Sequence, residues 1–90
     1  MNKIVEITTP TCTVCKMLKP MLEMVLNKNF TDLKMDVYDH ESDEGKKYVE
    51  KYSIKSVPAF FFIKNDEVVD THFGSISPVV FKEKCEKIVD

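Results

Sequence analysis

Apolar and polar positions change period along this chain, and the changes mark its elements. Lys3 to Thr8 is apolar almost throughout, with Ile4, Val5 and Ile7 around Glu6. That predicts a strand interior to a sheet covered on both faces. Thr9 and Pro10 end it. Leu18, Met21, Leu22, Val25 and Leu26 then follow the i, i+3, i+4, i+7, i+8 spacing of one helix face. Pro20 lies within that helix, removes a backbone hydrogen bond and is expected to kink it. Asn27 to Thr31 reads as a turn. Asp32 to Asp39 alternates, with Leu33, Met35 and Val37 on one side and Lys34, Asp36 and Tyr38 on the other, as in a half-exposed edge strand. Strand, helix and strand in that order make the two strands parallel neighbours joined by a right-handed crossover.

The second half follows the same logic. Ser42 is placed to cap a helix running to about Tyr52, with Tyr48, Val49 and Tyr52 on its apolar face. Ala59-Phe60-Phe61-Phe62-Ile63 is an unbroken apolar strand that belongs in the sheet centre. Asn65-Asp66 suits a two-residue hairpin loop, because both residues tolerate positive φ. It returns the chain along Glu67 to Phe73, a second edge strand. Gly74 breaks the pattern, and Ser77 with Pro78 opens a last helix whose inward residues are Phe81, Cys85 and Ile88. The fold class is α/β, ordered β-α-β-α-β-β-α. Its four-stranded mixed sheet has strand order 2-1-3-4 and helices on both faces, with the last two strands antiparallel to the first two.

Composition narrows the function. Ninety residues make one domain, 1–90, with no room for a second core. A net charge of −2, without a basic stripe interleaved with aromatics, argues against nucleic acid. No apolar run approaches the roughly 18 residues of a membrane span, and no signal-peptide pattern opens the chain, so no membrane role and a cytoplasmic location are expected. Structural disulfides are rare there, and three cysteines suit a reactive pair and a bystander better than a disulfide scaffold.

That pair is Cys12 and Cys15, in Thr11-Cys12-Thr13-Val14-Cys15-Lys16, between the first strand and the first helix. The first turn of a helix carries unpaired N–H groups and the positive end of the macrodipole, so it favours a thiolate. A fall in thiol pKa from ~8.5 to ~7 raises the thiolate fraction at neutral pH roughly fifteen-fold and lowers intrinsic nucleophilicity about five-fold. The larger benefit is to Cys12 as a leaving group when Cys15 resolves a mixed disulfide. Cys12 is therefore read as the nucleophile and Cys15 as the resolving thiol. Half of a zinc site completed by Cys85 and His40 or His72 is the rival, but it lacks a second CxxC or a close His pair. An inert structural pair is the third reading, and no metal site is assigned. Cys85, sharing a helix face with Phe81 and Ile88, reads as a small buried hydrophobe rather than a regulatory thiol.

These residues together resemble the thioredoxin superfamily. Cys12-Thr13-Val14-Cys15 follows the first strand, and Pro20 stands five positions after Cys15. Tyr52-Ser53-Ile54-Lys55-Ser56-Val57-Pro58 is similar to the family's approach to its cis-proline, and Gly74 precedes the last helix. The resemblance covers essentially the whole chain, in a minimal, glutaredoxin-sized form. Thr11 stands where thioredoxins usually carry tryptophan. Thr13-Val14 is neither the Gly-Pro of thioredoxins nor the Pro-Tyr of glutaredoxins.

The resemblance implies a thiol–disulfide oxidoreductase reducing protein disulfides through Cys12 and Cys15. No bound cofactor is implied, and a separate thioredoxin-reductase-like donor would supply electrons to a monomer. It implies a cis Val57–Pro58 bond opposite the cysteines, with Thr11, Val57, Pro58 and Gly74 contacting substrate. Val57 main-chain groups would pair with an extended substrate strand. Glutathione is less expected than a protein disulfide, because the second glycine and acidic residue of many glutaredoxins do not follow Gly74. Glu6, six positions before Cys12, matches the offset of the thioredoxins' buried carboxylate, and a buried carboxyl there could take the proton of Cys15. Its alternative is a rim residue facing solvent. Two other functions remain open: a glutaredoxin-like electron donor to one dedicated enzyme, and a non-catalytic thioredoxin-fold adaptor.

Overall fold

A computed structural model describes residues 2–89. Its elements are β1 (Lys3–Thr8), α1 (Thr13–Asn29), β2 (Lys34–Asp39), α2 (Asp43–Tyr52), β3 (Ala59–Lys64), β4 (Glu67–Phe73) and α3 (Pro78–Glu86). The sheet runs β2-β1-β3-β4, with β1 and β2 parallel and the β1–β3 and β3–β4 pairs antiparallel. Element order, strand order and direction agree with the pattern in the sequence.

Alternation along the two central strands creates two apolar layers. Ile4, Phe60 and Phe62 face one side and pack with Leu22 and Leu26 of α1 and Phe81 and Cys85 of α3. Val5, Ile7, Ala59, Phe61 and Ile63 face the other, under Tyr48, Val49 and Tyr52 of α2. The rings of Tyr48 and Tyr52 lie 4.8 and 4.7 Å from that of Phe61. Both central strands are covered on both faces, which is why neither alternates with polar residues.

Caps set the helix starts. The Ser42 hydroxyl accepts the Gly45 N–H at 3.0 Å and donates to the Asp39 carbonyl at 2.6 Å, tying the start of α2 to the end of β2. Gly45 is buried there, and a Cβ at that position would collide with the Asp39 carbonyl. Ser77 accepts the Val80 N–H at 3.2 Å with Pro78 opening α3. Asp70 of β4 takes Lys84 and Lys87 ammoniums, each at 2.9 Å, and holds α3 against the sheet edge. Burial alone would raise the Asp70 pKa, but those bonds and the Thr71 N–H outweigh it and lower it to about 2.

Two boundaries and one strand pairing differ from the sequence expectation. Asn27, Lys28 and Asn29 are helical rather than part of a turn. Leu26 and Phe30, four apart and both buried, continue the apolar face, and packing overrides the weak helix propensity of asparagine. The Phe30 N–H closes on the Leu26 carbonyl at 2.8 Å, and the turn is confined to the residues just after it. β2 accordingly starts at Lys34, not Asp32. In β4 the pairing passes from Phe62 opposite Asp70 to Ile63 opposite Val68, leaving Val69 as a bulge that exposes its side chain. α1 runs unbroken through Pro20. The hairpin follows expectation, with Asn65 and Asp66 at φ 52 and 66°.

Candidate active site

Cys12 is the N-cap of α1. Its N–H reaches the Thr9 carbonyl at 3.2 Å, which folds the chain between strand and helix, and its sulfur accepts the Cys15 N–H at 3.1 Å. A cap position is where a helix offers unpaired donors, so negative charge on Cys12 Sγ meets an oriented N–H and the positive helix end. The first turn holds no acidic residue to oppose it. Cys12 and Cys15 are joined as a disulfide, their Cα atoms 5.3 Å apart. Exposure does not separate them: Cys12 is 9% and Cys15 7% exposed. The Cys12 sulfur turns back over the first helical turn to act as cap, and that shields it.

Beside the disulfide lies an open cleft of about 210 Å³. Its walls include Glu6, Cys12 and Cys15, Lys16 and Lys19 of α1, and Val37 of β2. Glu6 is 3% exposed, so the carboxyl is buried rather than turned out at a rim. It enters the α1 face because it is in phase with Ile4. Val37 is its partner on β2 and Phe60 its partner on β3. Its Oε2 has no hydrogen-bond partner among the described residues. Burial pushes its pKa from 4.5 up to about 7, and the Lys19 charge opposes that rise. A carboxyl with such a pKa exchanges protons near neutrality.

The remaining predicted positions gather at the same end of the sheet. The Val57–Pro58 peptide is cis. Ile7 pairs with Ala59, which sets Pro58 beside the end of β1, where the cysteine loop begins. The Pro58 carbonyl accepts the Gly74 N–H at 2.7 Å. Gly74 has φ +96° with open space where a Cβ would stand, so conformation rather than room selects glycine there. Val57 is half-buried and lines a shallow groove with Thr9 and His40, while Thr11 is exposed. Cys85 is apart from all of this: it is fully buried under α3, and desolvation pushes its thiol up to about 12. Among the described residues, no group of three or more His, Cys, Asp and Glu is placed to hold a metal ion.

Lys19 and Val37 were not singled out from the sequence. Lys19 stands four positions after Cys15, a spacing that puts both on one helix face, and this signal was available. The place of Val37 beside Glu6 depends on the β1–β2 register, which one sequence does not supply.

The chain matches the Thioredoxin family model over residues 1–87. It is 31% identical over 86 residues to a chloroplastic thioredoxin M-type of Pisum sativum, covering 96% of this chain and 49% of that protein. It thus spans about half the length of the pea protein. To a thioredoxin of Buchnera aphidicola (subsp. Baizongia pistaciae) it is 32% identical over 80 residues, 89% of this chain and 72% of that one. In fold it is similar to an uncharacterised thioredoxin-like protein from Clostridium perfringens, with TM-score 0.85 at 17% identity, covering 98% of this chain and 71% of the other. It also resembles oxidised mitochondrial thioredoxin 3 of Saccharomyces cerevisiae, with TM-score 0.79 at 17% identity, covering 96% and 77%. With the family model matched along nearly the whole chain and a disulfide-bonded CxxC at the head of α1, this chain belongs to the thioredoxin family.

Proposed function

We propose that the chain reduces disulfide bonds in other proteins, as a monomer in the cytoplasm, and is returned to the dithiol by a separate reductase. The observation that carries this reading is Cys12 Sγ at the cap of α1, bonded to Cys15 and bordering an open cleft that holds a buried carboxyl. In the reduced protein the Cys12 thiolate attacks one sulfur of a substrate disulfide. A Cys12–substrate disulfide forms and the first substrate thiolate leaves. Cys15 gives its proton to the Glu6 carboxylate, and its thiolate attacks Cys12 Sγ. The Cys12–Cys15 bond forms as the second substrate thiolate departs and takes a proton from solvent. Two electrons pass to the substrate, and Glu6 holds one proton to be released through the cleft.

Thr11, Val57, Pro58 and Gly74 form the substrate platform in this reading. An extended substrate segment pairs with the main chain of Val57, and pairing of that kind is blind to side chains. The test is catalysed reduction of insulin by dithiothreitol. Turnover that depends on Cys12 supports the reading, and the absence of turnover would leave the non-catalytic adaptor.

A further inference from the structure

We propose that Lys19 is the positioning residue for proton transfer, its ammonium facing Glu6 across the cleft and stabilising the carboxylate that accepts the Cys15 proton. The proposal rests on the reading of Glu6 as the base. Its geometry is independent of that reading. Cys15 and Lys19 are one helical turn apart on α1, and both border the cleft that contains Glu6. Glu6 Oε2 is buried there without a hydrogen-bond partner among the described residues, so none of them in direct contact at that oxygen favours its charge.

The neighbours of Glu6 leave this task to α1. Its β2 partner is Val37 and its β3 partner is Phe60, neither of them titratable. Beyond Phe60 on the same face stands His72 of β4, whose Nε2 lies 2.9 Å from the Ser75 carbonyl. α3 sets Phe81 against Phe60, and its Cys85 is a buried thiol. α2 packs on the opposite face of the sheet. From α1 come Cys12, at its cap, Cys15, Lys16 and Lys19. Of these, Lys19 is the charge that opposes the rise in the Glu6 pKa.

Lys19 is exposed, so its charge stays hydrated and is cheap to maintain. The cleft is wide enough to hold water, at about 30 Å³ per molecule, so a proton on Glu6 has a route out past the same lysine. Lys19 thereby sets the fraction of Glu6 ready to accept a proton at neutral pH. It touches neither reacting sulfur in this role.

The test follows resolution of a preformed Cys12–substrate mixed disulfide by stopped flow from pH 5.5 to 9. Wild type, Lys19→Met, Lys19→Arg, Glu6→Gln and the Glu6→Gln/Lys19→Met double variant are compared. In parallel, the infrared carbonyl band of the protonated Glu6 carboxyl is titrated. Loss of a nearby opposite charge is expected to move the Lys19→Met midpoint up by about one pH unit, in rate and in carbonyl band alike. At pH 7 that lowers the resolution rate roughly five-fold, through the smaller ionised fraction. Lys19→Arg keeps the wild-type profile, and Lys19→Met adds nothing once Glu6 is glutamine. If Glu6→Gln slows resolution while Lys19→Met leaves both midpoints in place, the role of Lys19 is overturned and the base reading stands. If Glu6→Gln resolves as fast as wild type, the base reading fails and the proposal fails with it.

Discussion

The sulfur of Cys12 accepts the backbone N–H of Cys15 at 3.1 Å, so the first cysteine caps the helix on which the second is carried. The two residues are nearly equal in exposure, and in the proposed function it is this asymmetry of bonding that divides their labour. Cys12→Ser is expected to abolish disulfide reduction yet keep the fold, because serine is itself a good N-cap. Cys15→Ser should still attack substrate and then stall as a mixed disulfide. Non-reducing electrophoresis after incubation with an oxidised protein checks both. Trapped adducts from Cys12→Ser and none from Cys15→Ser would reverse the assignment.

Glu6 links chemistry to stability. Its folded-state pKa, about 7, lies above the ordinary 4.5, so the native state binds more protons than the unfolded chain between those values. Stability is therefore fully present below about pH 4.5 and falls as pH rises through 7. At about 1.36 kcal/mol per unit, the shift corresponds to a loss of roughly 3 kcal/mol. Glu6→Gln is expected to flatten this decline and to slow resolution at least about ten-fold, with attack by Cys12 unchanged. Urea midpoints from pH 5 to 8.5 and single-turnover rates supply the two measurements. A wild-type midpoint that does not fall across this window would contradict the buried carboxyl.

Gly45 sets helix propensity against packing. Alanine ordinarily gains about 1 kcal/mol over glycine inside a helix. Here its Cβ would collide with the Asp39 carbonyl, a backbone atom already held by the Ser42 hydroxyl. Overpacking of that kind costs about 1–3 kcal/mol, so Gly45→Ala is expected to destabilise despite its propensity. A lower midpoint in urea is the expected result. A raised midpoint would mean that α2 shifts away from β2 without cost.

Cys85 should behave as an apolar group. It is fully buried, with its thiol pushed up to about 12, so iodoacetamide at pH 8 is expected to label Cys12 of the reduced protein and leave Cys85 intact in the folded state. Cys85→Ala should cost about 1 kcal/mol and leave the redox potential unchanged. Mass spectrometry of the alkylated protein reads the first result, and prompt labelling of Cys85 would contradict its burial.

Much of this fold was legible in the sequence because its signals are local. Ser42, Ser77-Pro78 and Asn65-Asp66 each set their own backbone, and the unbroken run Ala59–Ile63 could only lie in the sheet centre. The error at Asn27–Asn29 has the opposite origin: two asparagines suggested a turn, while the packing of Phe30, out of sight in the local pattern, carried the helix onward. The site divides in the same way. CxxC before a helix announces itself, whereas the place of Val37 next to Glu6 arises only when two segments some thirty residues apart meet.

Pairing of β1 with its two neighbours has a consequence for when the chemistry can exist. Side chains alternate sides along a strand, so a slip of β1 by one residue would carry Glu6 beneath the tyrosines of α2 and set Val5 or Ile7 beside the cysteines. The cysteine loop and the first turn of α1 are local structures and can form early. The carboxyl reaches them only after β2 and β3, from segments some thirty and more than fifty residues downstream, have locked β1 in register. With Glu6 as the proposed base, a nascent or partly unfolded chain would thus hold its thiol pair without a proton acceptor, and full competence would mark completion of the sheet.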